Sequence, residues 1–182
     1  MRTQVIGLLF LGLTSLMNAQ SNSDAKNVGE EVSNVELSGL VISANSKYMN
    51  KAYDENSSIE VRELVQRVAD FDLKETNIFD PKFDSYNVNF STRQSEIEAI
   101  YDSKGVVQST NERYNNILVP NSIRHAVYRD YPGWTLHKNT YSVTYSQNGN
   151  IKKLYKIQVR KDGERKNLKI DVVNNKAIVS AY

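Results

Sequence analysis

The chain has 182 residues, 23 Lys+Arg against 21 Asp+Glu, and no cysteine. The absence of thiols excludes a disulfide framework, thiolate zinc sites and cysteine nucleophiles. The near-neutral total hides an asymmetry: residues 21–120 carry 10 Lys+Arg and 17 Asp+Glu, whereas residues 121–182 carry 12 and 4. That pattern suits either two halves that attract each other or a basic C-terminal half that meets an acidic partner.

In chain order, residues 1–19 read as a signal peptide. Arg2 precedes an apolar run from Val5 to Leu16, and Ala19 offers a small residue for cleavage. The run is too short for a permanent span. Export to the periplasm or beyond is therefore expected. Residues 20–33 read as a polar, disordered spacer. The stretch from Asn34 to Tyr53 reads as a strand, with Leu40 and Ile42 on one side and Val41 on the other.

Val61, Leu64, Val65 and Val68 fall at i, i+3, i+4 and i+7, which predicts a helix with one buried face. Ser57 with Glu60 three residues later has the spacing of a capping box. Pro81 stops any continuation into the following loop. Tyr86, Val88 and Phe90 alternate, as do Ile97, Ala99 and Tyr101, so two strands follow. Gly105 marks the turn into a third, which begins at VVQST.

A second helix is expected after Pro120, with Ile123, Ala126, Val127 and Tyr131 on one face and Pro132-Gly133 at its end. A short strand over WTLHKNT comes next, then TYSVTYS, in which Tyr141, Val143 and Tyr145 alternate. Asn148-Gly149 turns the chain. Tyr155, Ile157 and Val159 then alternate against Lys156, Gln158 and Arg160. Lys161-Asp162-Gly163 turns it again, Leu168, Ile170 and Val172 share a face, and Asn174-Asn175 precedes a last strand.

Both halves run helix, break, antiparallel strands. The expected fold class is α+β: two tandem αβββ units, with helices on one face of the sheet and the other face open. The first unit, degenerate and with a leading strand, covers residues 34–119, and the second covers residues 120–182.

The second unit carries a family likeness. Leu118 to Pro120 at the helix start, Tyr131 to Trp134 at the break, the aromatic alternation from Tyr141 to Tyr145, and the basic hairpin turning at Asp162-Gly163 resemble the PepSY-like, beta-lactamase-inhibitor-protein-like units of small exported bacterial proteins. The likeness extends over most of the region from Val61 to Tyr182, with Phe71-Asp72-Leu73 standing where the first copy's break should be. The resemblance implies an αβββ unit used to bind or inhibit other proteins, not to catalyse.

Such proteins are sometimes labelled nicotinate-nucleotide adenylyltransferases. That chemistry uses a paired H-x-G-H motif and a Gly-rich strand-to-helix turn. Here the two histidines, His125 and His137, lie 12 positions apart, and no such turn is present. Both read as surface or edge residues. Asp70, Asp72, Asp80 and Asp84 lack the ligand spacing and central glycine of a calcium loop. No catalytic residue, cofactor, metal or nucleic acid is expected. The expected activity is that of a non-catalytic exported binding module that contacts another envelope or secreted protein through Lys156, Gln158, Arg160 and Lys169. The alternative is a small-molecule or envelope-stress sensor that binds its ligand between sheet and helices; such a pocket would want small core-facing residues, and that set is mostly large.

Overall fold

The computed structural model describes residues 45–173 and 176–182. The expected signal peptide and spacer, the expected leading strand up to residue 44 and the expected turn at Asn174-Asn175 lie outside the described residues.

Among the described residues the fold comprises three α-helices, a short 3-10 turn at Leu73–Glu75 and a seven-stranded antiparallel sheet. The helices are α1 (Ser46–Ala52), α2 (Ile59–Ala69) and α3 (Asn121–Asp130). The strands are β1 (Ser85–Ser91), β2 (Ser95–Asp102), β3 (Val107–Asn115), β4 (Thr135–Ser146), β5 (Lys152–Lys161), β6 (Glu164–Val173) and β7 (Lys176–Ala181), and they pair in that order from one edge of the sheet to the other. Three strands follow α2 and four follow α3, so the second half has one strand more than the expected αβββ.

The alternation that predicts the strands also selects the buried face. Tyr86, Val88 and Phe90 on β1, Ile97, Ala99 and Tyr101 on β2, Tyr141, Val143 and Tyr145 on β4, and Tyr155, Ile157 and Val159 on β5 are all buried. Val61, Leu64, Val65 and Val68 of α2 and Ile123, Ala126 and Val127 of α3 are buried as well. All but Ala126 belong to one hydrophobic cluster. The helices therefore cover one face of the sheet, as the period-two and period-3.6 patterns require.

Three local expectations are corrected. The segment read as a strand up to Tyr53 is helical from Ser46 to Ala52, because Tyr48 and Ala52 are four apart and face the core together. Asn45 anchors this helix: its Nδ2 donates to Ala69 O and Gly105 O, and its Oδ1 accepts from Val107 N. The Ser57–Glu60 capping box does not form. Asp54 holds a tight turn, accepting from Ser57 N at 3.0 Å and from Asn56 N at 2.9 Å, so Ser58 becomes the N-cap and its side chain makes no capping bond. The short strand over WTLHKNT is the start of β4. Its register shifts between Leu136 and Lys138, a bulge at His137 that moves the core-facing phase from even to odd positions.

Two of the hairpin turns use left-handed backbone. Gly105 (φ +82°) closes β2–β3, and Asp162 (φ +48°) with Gly163 (φ +84°) closes β5–β6. Two successive positive φ values match the twist of a two-residue hairpin.

Candidate functional site

The side of the sheet away from the helices is open, and its chemistry is partitioned. On β1 and β2 it presents Asn87, Asn89, Glu96 and Glu98. On β5 and β6 it presents Lys156, Gln158, Arg160, Arg165, Asn167 and Lys169. The charge asymmetry of the sequence thus becomes an acidic and a basic end of one surface.

The four residues singled out from the sequence come together at the basic end. Lys156 lies opposite Lys169 across the β5–β6 pair, Gln158 opposite Asn167, and Arg160 opposite Arg165. Gln158 Nε2 donates to Asn167 Oδ1 at 3.5 Å. Lys169 Nζ lies 3.3 Å from Asp171 Oδ2, so part of its charge is met on its own strand. Lys156 is exposed, while Gln158, Arg160 and Lys169 are half-buried, and the Arg160 Nε is enclosed without a hydrogen-bond partner. Two like-charge pairs directly opposite one another are destabilising in a sheet, by about 0.2–1 kcal/mol each.

Arg165 and Lys138 extend this patch and were not singled out from the sequence. Lys138 sits opposite Gln158 only because the β4 bulge sets its register. His137 is exposed in the same region. Desolvation, and then the positive charges of Arg160, Lys138 and Arg165, hold its pKa below the usual imidazole value. His125 is exposed on α3. Among the described residues no group of acidic or histidine side chains has the arrangement of a metal site. Asp70, Asp72 and Asp80 instead accept local bonds from Gln66 Nε2, Lys74 N and Lys82 N.

On the helix side the structure reveals a charged cluster that the sequence reading missed. Glu112 of β3 is only 4% exposed. Its Oε1 accepts from Tyr48 Oη at 2.9 Å and Thr110 Oγ1 at 2.8 Å, and its Oε2 accepts from Tyr114 Oη at 2.7 Å. Burial raises its pKa, against the three hydroxyl donors and the positive charge of Lys153, which lower it. The signal lies only past a phase slip in β3, where Glu112 shares its strand phase with Thr110 and Tyr114; Lys153 likewise shares its phase with Tyr155. A charge on the core phase of a strand marks a buried polar site.

From Tyr114 a row of rings crosses the sheet. Tyr114 and Tyr141 stack with centroids 5.7 Å apart, and Tyr141 and Tyr155 with centroids 4.2 Å apart. The row ends at a cleft of about 300 Å³ lined by Tyr141, Tyr155, Lys153 and Val172 of the sheet, Asp54 and Asn56 of the α1–α2 turn, and residues 120–123 at the start of α3. The cleft owes nothing to small core residues; it is the gap between the α1–α2 turn and α3.

No family model matches the chain, and no curated protein or solved structure matches it significantly. Among the described residues no helix is long and apolar enough to cross a membrane.

Proposed function

We propose that this chain is a non-catalytic, exported binding module whose partner is another envelope or secreted protein with an acidic surface. Contact is made through the basic end of the open sheet face, by Lys156, Arg160, Arg165 and Lys169, with Gln158 and Lys138 beside them. The observation that carries the reading is the placing of like charges directly opposite one another in the strand register, Lys156 against Lys169 and Arg160 against Arg165. An isolated sheet gains nothing from such pairs, whereas an acidic partner turns them into attraction and fast association. The order of helix and strands supports descent from a duplicated helix-plus-meander unit of the PepSY-like, inhibitor-protein-like kind, with a fourth strand added to the second copy.

The test is capture from the exported fraction by wild-type protein and by the double variant Lys156→Glu/Arg160→Glu. A partner held by the wild type and released by the folded variant supports the reading; equal capture refutes it. A second reading, a small-molecule sensor, is favoured by one observation: the cleft lies between sheet and helices, where such a ligand would sit.

A further inference from the structure

The cleft at the start of α3 gathers polar groups that the fold leaves unused. Tyr141 and Tyr155 are 2% and 3% exposed, line the cleft, and their hydroxyls take no hydrogen bond from the described residues. Elsewhere in this core, Tyr48 and Tyr114 donate to Glu112 and Tyr101 donates to Val68 O, while the Tyr145 hydroxyl is enclosed without a partner. Neither hydroxyl is sealed off from the cleft, so both stand at its wall as groups able to donate to a ligand there.

Charges of both signs stand beside them. Lys153 is half-buried, with no hydrogen bond and no carboxylate within 4 Å among the described residues. Asp54 is half-buried too; its Oδ1 is committed to the Asn56 amide and its Oδ2 is open. The two are near enough to feel one another's charge, yet they form no ion pair. α3 adds donors. Pro120 is its N-cap and offers no side-chain cap, and the first helical bond runs from Arg124 N to Pro120 O at 3.0 Å. The amides of residues 121–123 are therefore unmet. Ile123 and Val172 supply an apolar wall.

We infer that this cleft binds a small zwitterion of the α-amino-acid class with an aliphatic side chain. Its carboxylate is held by Lys153, the two tyrosine hydroxyls and the start of α3. Its ammonium is held by Asp54, and its side chain packs on Ile123 and Val172. A plain anion would be repelled by Asp54 and a plain cation by Lys153, so neither ion alone uses both groups. The inference rests on the small-molecule reading and goes further by naming the ligand class.

Three probes share one carbon skeleton: L-valine, isovalerate, which lacks the ammonium, and isobutylamine, which lacks the carboxylate. Binding is read by NMR shifts of the Tyr141 and Tyr155 rings on titration of the full chain. L-valine is expected to bind roughly tenfold or more tighter than either fragment, since each lost charge-assisted contact weakens binding by about that factor. Asp54→Asn, which keeps the turn acceptor, should reduce valine to the level of isovalerate. Lys153→Met and Tyr155→Phe should each weaken valine by a similar factor with the ring shifts of the unliganded core retained. Equal binding of valine and isovalerate, or no effect of Asp54→Asn, overturns the zwitterion while leaving a small-molecule cleft in place. Failure of all three probes to perturb either ring overturns both.

Discussion

Replacing Glu112 separates a buried polar site that is satisfied from one that is not. Glu112→Ala removes the acceptor for three hydroxyls, those of Tyr48, Thr110 and Tyr114, all at most 2% exposed. Each stranded donor costs about 1–3 kcal/mol, so the variant should lose at least ~3 kcal/mol, a large part of the 5–15 kcal/mol typical of a folded domain. Glu112→Gln keeps the shape. Its carbonyl can accept from Tyr48 and Thr110 while its amide donates to a reversed Tyr114 hydroxyl, so the change should stay within about 1 kcal/mol. The pH dependence has a definite sign. Burial raises the Glu112 pKa above its ordinary 4.5. Between that value and the raised one the folded state binds more protons than the unfolded state, so this group's contribution falls as pH rises through the window. Wild type should therefore lose stability over that range relative to Glu112→Gln. Urea unfolding at several pH values, with the slope checked for constancy, measures both effects. A Glu112→Ala cost below 1 kcal/mol, or a Glu112→Gln cost equal to it, would refute the account of this cluster.

Tyr48→Phe should cost about 1 kcal/mol by removing one of the three donors to Glu112, measured by the same unfolding curves. Gly163→Ala should cost on the order of 1 kcal/mol; nothing lies within 4 Å of the added methyl, so the whole effect is the φ of +84°. Arg160→Glu should raise the His137 pKa in an NMR titration, because it replaces a nearby repelling charge by an attracting one. Intact mass of exported material should show loss of about the first 19 residues, as a signal peptide of ordinary length requires; retention of Met1 would contradict export by that route.

The sheet was legible where phase is kept and illegible where it slips. Tyr141, Val143 and Tyr145 announced β4, but Leu136 is out of step with them until His137 is counted as a bulge residue. The third strand had the same defect: Val107 is core-facing at an odd position, whereas Thr110, Glu112 and Tyr114 are core-facing at even ones. That shift hid Glu112, which reads as surface on any unbroken alternation from Val107. The helix at Ser46 was missed because its only buried anchors are Tyr48 and Ala52, too few for a periodic signal. Its position depends on contacts far along the chain, Asn45 to Val107 and Tyr48 to Glu112. Lys156, Gln158, Arg160 and Lys169 could be placed on one face because β5 and β6 keep their phase throughout. The cleft was not, since Asp54, Lys153 and Pro120 are brought together only by the packing of α1 and α3 on the sheet.

The role of the basic face is tested most directly by the rate at which the captured partner associates with wild type and with Lys156→Glu/Arg160→Glu, measured by surface plasmon resonance at low and high salt. Each substitution places a carboxylate opposite a cation, Lys169 or Arg165, so the variant should be as stable as wild type or more so by a few tenths of a kcal/mol. Association should nevertheless slow by about tenfold or more at low salt, and the difference should shrink as salt screens the surface. A variant that folds normally and associates as fast as wild type at low salt would mean that the basic end of the sheet is merely solvated.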